Sequence, residues 1–510
     1  MNFHSLKKNS AVLMSVIIIA KLVGMLRDIV LANHYGTSNV SDAYLIAVSI
    51  PTLLFYFIGH ALSTAYLPMF KKIKAEKGEL AAQKYSNNLT NISLAICTAI
   101  VLLLLCFPEA IVRVFAAGFD AETVSIAARF VRISCCSVYF MTLVSTWGGY
   151  LHANSNFIIP ASISLPRNLA IVVSIVVSAR FGIEFLGIGL LVAYVLEFLL
   201  LVPFAVRAGY RPSLYINLKD PAMRETLYVV LPILLGVGVS QINKIVDRSL
   251  ASLVSEGALS ALSYASIINN AVQEVLVTGI ITILFANCAT YVAEGKTDEV
   301  KKVTSKTMEF MLFLLIPGTV GIVLLAEPIV SCVLQRGNFD GDSLRMTVGA
   351  LRCYAIGLSF LAVRDMLVKV FYAYKETKIT TATSIMAILL NIGLNFLLSY
   401  FWGINGLALA TSLSAVFQCV ILYILLRRRI GDFGLKRTLL VLAGILASSA
   451  VMAALVLLFR HWLSSSELME TVKLVLSVAI GMIAYALAAL AFHLPQATAV
   501  AKKIFKRKGV

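Results

Sequence analysis

Residues 10–32 read SAVLMSVIIIAKLVGMLRDIVLA, an apolar run that nevertheless carries Lys21, Arg27 and Asp28. A bilayer core about 30 Å thick needs roughly 20 helical residues to cross it, and this run is long enough. A charge at the centre of such a helix costs roughly 2.5–3.5 kcal/mol on insertion scales, so it faces a partner or a water-filled cavity. A second apolar run, about 220 residues later, carries Lys244, Asp247 and Arg248. Two charged clusters at matching places in two halves point to a transporter with a polar interior.

The rest of the chain fits this reading. Of 510 residues, 59% are hydrophobic and 14% charged, against about 25% charged in soluble domains. The net charge of +17 raises the question of nucleic acid, but the basic residues sit in short loops between apolar runs. No nucleic-acid partner is expected. The eight cysteines lie mostly inside apolar segments without a CxxC pair, as packing residues do. No small-residue cleavage site follows the first run, so that span is expected to stay.

Apolar windows are expected to span near 10–33, 42–70, 85–107, 122–151, 156–179, 186–206, 225–253, 259–292, 304–331, 343–373, 379–401, 405–426, 436–459 and 470–493. Breaks are expected at Pro51 in the second and at Pro160 and Pro166 in the fifth. Lys and Arg crowd alternate loops: Lys71–Lys84, Arg207–Arg224, Lys296–Lys306, Lys375 and Lys378, Arg427–Arg437, and the tail Lys502–Lys508. The intervening loops, such as 33–40 and 255–260, are poor in them. That asymmetry places both termini of a multi-pass membrane protein in the cytoplasm.

The chain also repeats. Ala117-Gly-Phe-Asp120 matches Gly337-Asn-Phe-Asp340, Phe181-Gly-Ile183 matches Trp402-Gly-Ile404, Leu31-Ala-Asn33 matches Leu250-Ala-Ser252, and Tyr44 matches Tyr264. Both copies start on the same side, so the repeat is parallel, with its axis along the membrane normal. The expected fold is all-α, with about 14 transmembrane helices in two pseudo-symmetric six-helix lobes, 1–210 and 211–432. Residues 433–510 add two further helices and a basic tail.

Within this frame Lys21, Gly24, Arg27 and Asp28 share one helical face, with Asp42 close in sequence and expected at similar depth. They read as a cationic surface for an anionic substrate, or as a self-compensated cluster that joins helices. Lys244, Asp247 and Arg248 carry the same two readings. Arg352, Arg364, Asp365 and Lys369 lie along span ten, and Arg129 and Arg132 on span four. Arg167 follows Pro166, where a broken helix would expose it. Glu197 and Glu274 read as lone buried acids, and His60 lacks metal-ligand company. Asn391 and Asn395, spaced i, i+4, together with Asp247 and the Thr411 hydroxyl, offer oxygens for a hard cation; Asn as interhelical glue is the other reading. No GxxxxGK[ST], HExxH or GxSxG motif is present, so secondary transport is the expected mechanism, without an organic cofactor.

At this point the chain resembles the MurJ (MviN) family of bacterial lipid II flippases. The resemblance rests on Lys21-Leu-Val-Gly-Met-Leu-Arg-Asp28, Ser41-Asp-Ala-Tyr44, Ile50-Pro51 and Ala65-Tyr-Leu-Pro68, followed by Ser240-Gln-Ile-Asn-Lys-Ile-Val-Asp-Arg248, Ser260-Ala-Leu-Ser-Tyr-Ala265, Leu334-Gln-Arg-Gly-Asn-Phe-Asp340 and Val370-Phe-Tyr-Ala373. It implies a MOP-superfamily exporter fold and a substrate of undecaprenyl pyrophosphate bearing the peptidoglycan disaccharide-pentapeptide. It implies substrate contacts at Arg27, Asp28 and Asp42, with Lys21 in place of a family Arg, which keeps the charge and loses the bidentate fork. It also implies a sodium site at Asp247, Asn391, Asn395, Thr411 and the Leu407 backbone, with Asn395 replacing an acid. Spans thirteen and fourteen would carry the lipid tail, and the cell-wall synthesis machinery and membrane lipids would be partners.

The chain departs from that pattern at Phe55 and Tyr56, where some relatives carry an Arg pair, and at Ile267, where many carry the Arg assigned to the diphosphate. Arg248, Arg364 or Arg167 are candidates to substitute. Coupling to sodium, protons or the membrane potential is expected, since one charge crossing 100 mV gains about 2.3 kcal/mol. The alternatives are an exporter of another lipid-linked oligosaccharide, such as a capsule or O-antigen unit, a multidrug/cation antiporter of related fold, and, more remotely, a membrane glycosyltransferase.

Overall fold

The computed structural model describes residues 3–466 and 468–499, and they are helical throughout, with short connections. In chain order the helices are α1 (Phe3–Tyr35), α2 (Asn39–Lys77), α3 (Glu79–Cys106), α4 (Pro108–Phe115), α5 (Ala121–Ser134), α6 (Ser137–Ala153), α7 (Ile158–Ser162) and α8 (Ser164–Phe181). They continue as α9 (Glu184–Arg207), α10 (Pro221–Val254), α11 (Ala258–Ala293), α12 (Thr297–Leu334), α13 (Gly341–Ala373), α14 (Thr377–Ile430), α15 (Leu435–Leu463) and α16 (Glu470–Ala491). The basic tail from Lys502 and the His60 side chain lie outside the described residues.

Among the described residues nine helices are long and apolar enough to cross a membrane, or eleven if two bent pairs each make one span. The bent pairs are α5 with α6, at 46°, and the two parts of α11, at 45°. α14 has 54 residues, which at 1.5 Å each would reach about 81 Å, far more than one crossing needs. It is divided at Gly403, whose φ of 53° and ψ of −128° are not helical. α1 and α10 have the length of spans, and their charged residues set them apart from the others. The expected count of fourteen therefore depends on reading these charged helices as spans.

Proline breaks neither of the two spans where a break was expected. α2 runs unbroken through Pro51 and Pro68. The boundary between α7 and α8 falls at Ile163, but that residue keeps helical dihedrals (φ −58°, ψ −30°), and Ile158–Phe181 runs on as one span. Arg167 thereby falls in the first turn of α8.

The helices form two compact units, one of residues 1–260 with 336–339, the other of 261–335 with 340–510. Compactness thus groups α10 with the first unit, whereas the repeat in the sequence begins its second copy there.

The first unit is built on an aromatic core of Tyr66, Phe70, Tyr85, Trp147, Tyr150 and Tyr210. Each buried phenol has a partner, as a desolvated hydroxyl requires. Tyr66 pairs with Ser86 at 2.7 Å, Tyr85 with Thr226 at 2.9 Å, Tyr210 donates to Asn87 at 2.9 Å, and Tyr150 to the Ala208 carbonyl at 3.0 Å. Asparagines on α3 then hold the segment that leads to α10. Asn88 makes two bonds to the Asn217 backbone, at 2.9 and 2.7 Å, and Asn91 donates to the Ser213 and Tyr215 carbonyls.

The matched loops of the repeat dock alike within this unit. The Ala117 and Gly118 amides donate to Ser249 and Ser252 at the end of α10. In the other copy the Asn338 amide donates to the Asn33 carbonyl at 2.9 Å, and its side chain to the His34 carbonyl at 2.6 Å, at the end of α1. Each loop then starts a helix with an aspartate cap, Asp120 on Thr123 and Asp340 on Ser343. These hydrogen bonds hold both carboxyls below their usual pKa, through the Thr123 side chain and backbone for Asp120 and the Ser343 backbone and side chain for Asp340. Their contribution is therefore present above the ordinary aspartate pKa of about 3.9 and is lost as pH falls through the depressed value. Asp120→Ala and Asp340→Ala should each cost about 1 kcal/mol in thermal unfolding at neutral pH and progressively less in strong acid.

In the second unit, Glu309 on α12 is only 1% exposed and ties three elements. Arg437 on α15 lies 3.2 Å from one of its oxygens, and the Gln496 side chain, beyond α16, donates to the other at 3.0 Å. The Arg437 side chain is 58% exposed, so the two partners are not equivalent. Removing Arg437 strands a buried carboxylate, while removing the carboxylate leaves an arginine in water. Arg437→Ala should thus lower thermal stability by about 2 kcal/mol, and Glu309→Gln by clearly less. Equal losses would show that the carboxylate is not desolvated in the folded protein.

Candidate functional site: a braced guanidinium cluster

The charges of the first span lie in the first unit, where α1, α8 and α9 meet. The Arg27 guanidinium folds back on its neighbour. Its Nε and Nη2 donate to Asp28 Oδ1 at 2.9 and 2.7 Å, and Nη1 donates to Asn168 Oδ1 on α8 at 3.2 Å. Asp28 is nearly buried and Arg27 keeps a 29% exposed side chain. A guanidinium carries five N–H donors, and three are used, so two remain for a ligand.

Beside this pair is a second one. Arg167, adjacent in sequence to Asn168, reaches Glu197 on α9 at 3.2 Å. The carboxylate is buried and the guanidinium is 31% exposed. The Tyr194 ring, one helical turn before Glu197, lies 5.8 Å from the Arg167 guanidinium. Each cation is therefore held from behind by a buried acid and keeps an open edge. Such an arrangement can recognise an anion: with orientation fixed beforehand, less entropy would be lost on binding. Glu197 is correspondingly not a lone acid. Its pairing with Arg167, and the roles of Asn168 and Tyr194, were invisible in the sequence because they join helices far apart in the chain. Lys21 is exposed on α1.

Asp42 belongs to a different cluster. Its carboxylate accepts the Gly257 amide at 3.0 Å and the Ser260 amide at 2.8 Å, and the Ser260 hydroxyl also donates to it. These groups form the first turn of α11, whose unsatisfied N–H groups favour a negative charge. Ser41 and Ser260 pair hydroxyl to hydroxyl at 2.9 Å. Gly257, with φ of 75°, passes so close to the Thr37 carbonyl that a Cβ would overlap it. The carboxylate expected to orient the span-one cations is thus fully engaged as a helix cap.

The α10 cluster engages α2. The Arg248 guanidinium donates to the Leu45 carbonyl at 3.3 Å, and the Lys244 ammonium lies 5.5 Å from the centre of the Tyr56 ring. Asp247 accepts from Asn243 at 3.0 Å. Tyr56 therefore presents a ring to a cation supplied by α10.

In the second unit, Arg364 donates from Nε and Nη2 to Asp365 Oδ1 at 3.0 and 2.6 Å, repeating the local fork of Arg27 and Asp28. Gln273 on α11 donates to the other Asp365 oxygen at 3.1 Å. Glu274, expected to be buried, is exposed and lines a cavity between α11 and α13. The remaining candidates read as structural or surface groups. Arg129 and Arg132 make exposed ion pairs with Glu184 and Glu109, and Arg352 donates to the Val323 carbonyl.

The α14 oxygens share one level. Gln418 donates to Ser384, and Gly406 packs on the Leu398 carbonyl, so the two arms run antiparallel in a register that sets Asn391 level with Thr411 and Asn395 with Leu407. Asn395 donates to Asn391 at 3.2 Å and Thr411 to the Leu407 carbonyl at 3.3 Å. These are neutral oxygen donors of the type a hard cation accepts. Asp247, the acid of the set, belongs to the first unit and the other three belong to the second.

A family model for the lipid II flippase MurJ matches residues 31–477. The chain belongs to the MurJ family. A curated relative from Thermotoga maritima, named a probable lipid II flippase MurJ, is 28% identical over 86% of this chain and 88% of its own. A solved structure of the lipid II flippase MurJ in an inward closed conformation superposes with a TM-score of 0.82 at 24% identity, covering 94% of this chain and 98% of that one. An inward-facing multidrug resistance MATE transporter of the MOP superfamily follows at a TM-score of 0.68 and 13% identity, covering 83% and 98%. The MurJ-family assignment and the apolar helices together make this a multi-pass protein of the bacterial cytoplasmic membrane.

Proposed function

We propose that this chain moves lipid II from the cytoplasmic to the outer leaflet as a secondary transporter, with both termini in the cytoplasm. The observation that carries the reading is the braced pair Arg27–Asp28 and Arg167–Glu197, found in a chain of the MurJ family. A lipid diphosphate presents planar sets of anionic oxygens, and arginine meets them with two parallel N–H bonds. Arg27 has two donors left for this, Arg167 supplies a second open edge, and Lys21 and Lys244 add exposed positive charge. The arginine that relatives place at Ile267 is thereby replaced from α8.

Alternating access would expose this site to each side in turn, driven by the membrane potential or a cation gradient. For sodium, Asn391, Asn395 and Thr411 on α14 would supply the oxygens, and the cation would add a positive charge that the return step must carry.

The test is replacement of the essential lipid II flippase of a bacterial host by this chain. Growth, and appearance of lipid II in the outer leaflet, are the expected results. Survival on a capsule or O-antigen intermediate with no movement of lipid II would overturn the reading.

A further inference from the structure

The second unit holds a cavity of about 630 Å³ between α11 and α13, within the range of about 300–1,000 Å³ typical of ligand pockets. Its chemistry differs from that of the guanidinium cluster. Along α11, Asn270, Glu274, Thr278 and Thr282 line it at i, i+4, i+8 and i+12, a polar stripe along the helix. Across from them on α13 stand Asp365 and Lys369.

Each group is set for a ligand that is both donor and acceptor. Asp365 is occupied by Arg364 and by the Gln273 amide, which fixes the Gln273 side chain with its carbonyl oxygen free to accept. The Lys369 ammonium sits 5.5 Å from the Tyr372 ring centre and 5.9 Å from that of Phe285. Among the described residues no carboxylate lies within ion-pair distance of it. A cation held by aromatic faces keeps its charge available to an incoming anion.

The occupant follows from this inventory. A diphosphate would meet one ammonium here, Lys369, with the Glu274 carboxylate on the same wall. A lipid tail would cover a wall of amides, hydroxyls and carboxylates whose remaining hydrogen-bonding capacity it cannot meet. A peptide satisfies all of it: backbone N–H and C=O groups meet the amides and hydroxyls, its terminal carboxylate meets Lys369, and an amino group meets Glu274. Length agrees as well. The stripe rises about 18 Å over twelve residues, and five extended residues span about 17 Å.

We propose that this cavity is the subsite for the peptide stem of the lipid-linked precursor, with Lys369 receiving its carboxylate and the α11 stripe reading its backbone. The assignment rests on the lipid II reading above and adds a second contact region to it.

The experiment measures binding of two probes to the full-length protein in lipid nanodiscs. One is undecaprenyl pyrophosphate bearing disaccharide and pentapeptide; the other is the same lipid without the peptide. The protein should bind the peptide-bearing lipid about tenfold more tightly. Lys369→Gln should remove that preference, leaving the peptide-free lipid within twofold of wild type, and Lys369→Arg should restore most of it. Thr278→Val combined with Thr282→Val should lower the preference about threefold without removing it. Equal affinity of the wild type for the two lipids, or a Lys369→Gln loss of the same size for both, would overturn the subsite while leaving the flippase reading intact. Failure to bind either lipid would overturn both.

Discussion

Arg27→Ala should abolish support of growth in a host that depends on this chain as its flippase, and should weaken binding of a diphosphate lipid by about 10²-fold. The magnitude follows from the two donors that Arg27 keeps. Hydrogen bonds to charged groups contribute about 1.5–3 kcal/mol each, and losing about 3 kcal/mol corresponds to roughly 10²-fold in affinity. A second effect travels with the substitution. Asp28 is nearly buried, and without Arg27 its charge has lost its strongest partner. Breaking a desolvated pair from one side is costly, up to about 3–5 kcal/mol.

Loss of activity could therefore reflect loss of fold, and the double variant Arg27→Ala/Asp28→Ala separates the two. It should recover the thermal stability and membrane level of the wild type and still fail to bind the lipid. Arg27→Lys should bind at an intermediate level, since it keeps the charge and loses the fork. Wild-type transport by the double variant would show that the cluster merely joins α1 to α8.

The second large effect is expected at the Asp42 cap. A disulfide between Ser41→Cys and Ser260→Cys should form readily in a background without the native cysteines, because the two hydroxyl oxygens lie 2.9 Å apart. A disulfide needs Cβ atoms about 3.5–4.5 Å apart, and hydroxyls in hydrogen-bonding contact bring the two Cβ atoms close to that range. The proposed alternating access is expected to open the Ser41–Ser260 contact in each cycle. Oxidation should then stop transport entirely, and a reductant should restore it. An oxidised, cross-linked protein that still transports at the wild-type rate would mean that this contact never opens.

Asp42→Ala approaches the same contact from the other side. It leaves the Gly257 and Ser260 amides without their acceptor, at about 1–3 kcal/mol per buried group. A fall of about 3 kcal/mol in thermal stability is expected, with the contact open more of the time.

Much of the fold was legible because a membrane imposes rules that act on short stretches. Every backbone polar group must be satisfied within the bilayer, so apolar runs of sufficient length become helices. Ser10–Ala32 and its counterparts accordingly fall within helices. The prolines show the limit of such local rules. Pro51 left α2 unbroken, and Pro160 and Pro166 left Ile163 helical, because a break at proline depends on whether neighbouring groups can take over the lost hydrogen bond.

The candidate site was legible in part. Arg27 and Asp28 stood out because charge in an apolar helix is rare. Their identity as a pair needed no tertiary information beyond adjacency, and the same holds for Arg364 and Asp365. Asn168, Tyr194 and the bond from Arg167 to Glu197 left no trace in sequence spacing. Asp42 was marked correctly as unusual, and only its surroundings revealed a helix cap. Glu309 had passed unnoticed among apolar residues, though its partners make it a tie between three elements.

By itself the sequence determined an all-helical membrane protein with an internal repeat, the family it belongs to, and the places where charge enters the bilayer. These are consequences of composition, order and the cost of burying charge, all of which can be counted along the chain. Only the tertiary structure decided which acid holds which base. Ion pairs and caps join residues such as Arg167 and Glu197, or Asp42 and Ser260, whose proximity is fixed by how helices pack. Helix packing depends on the shapes of whole faces, and no local pattern encodes it.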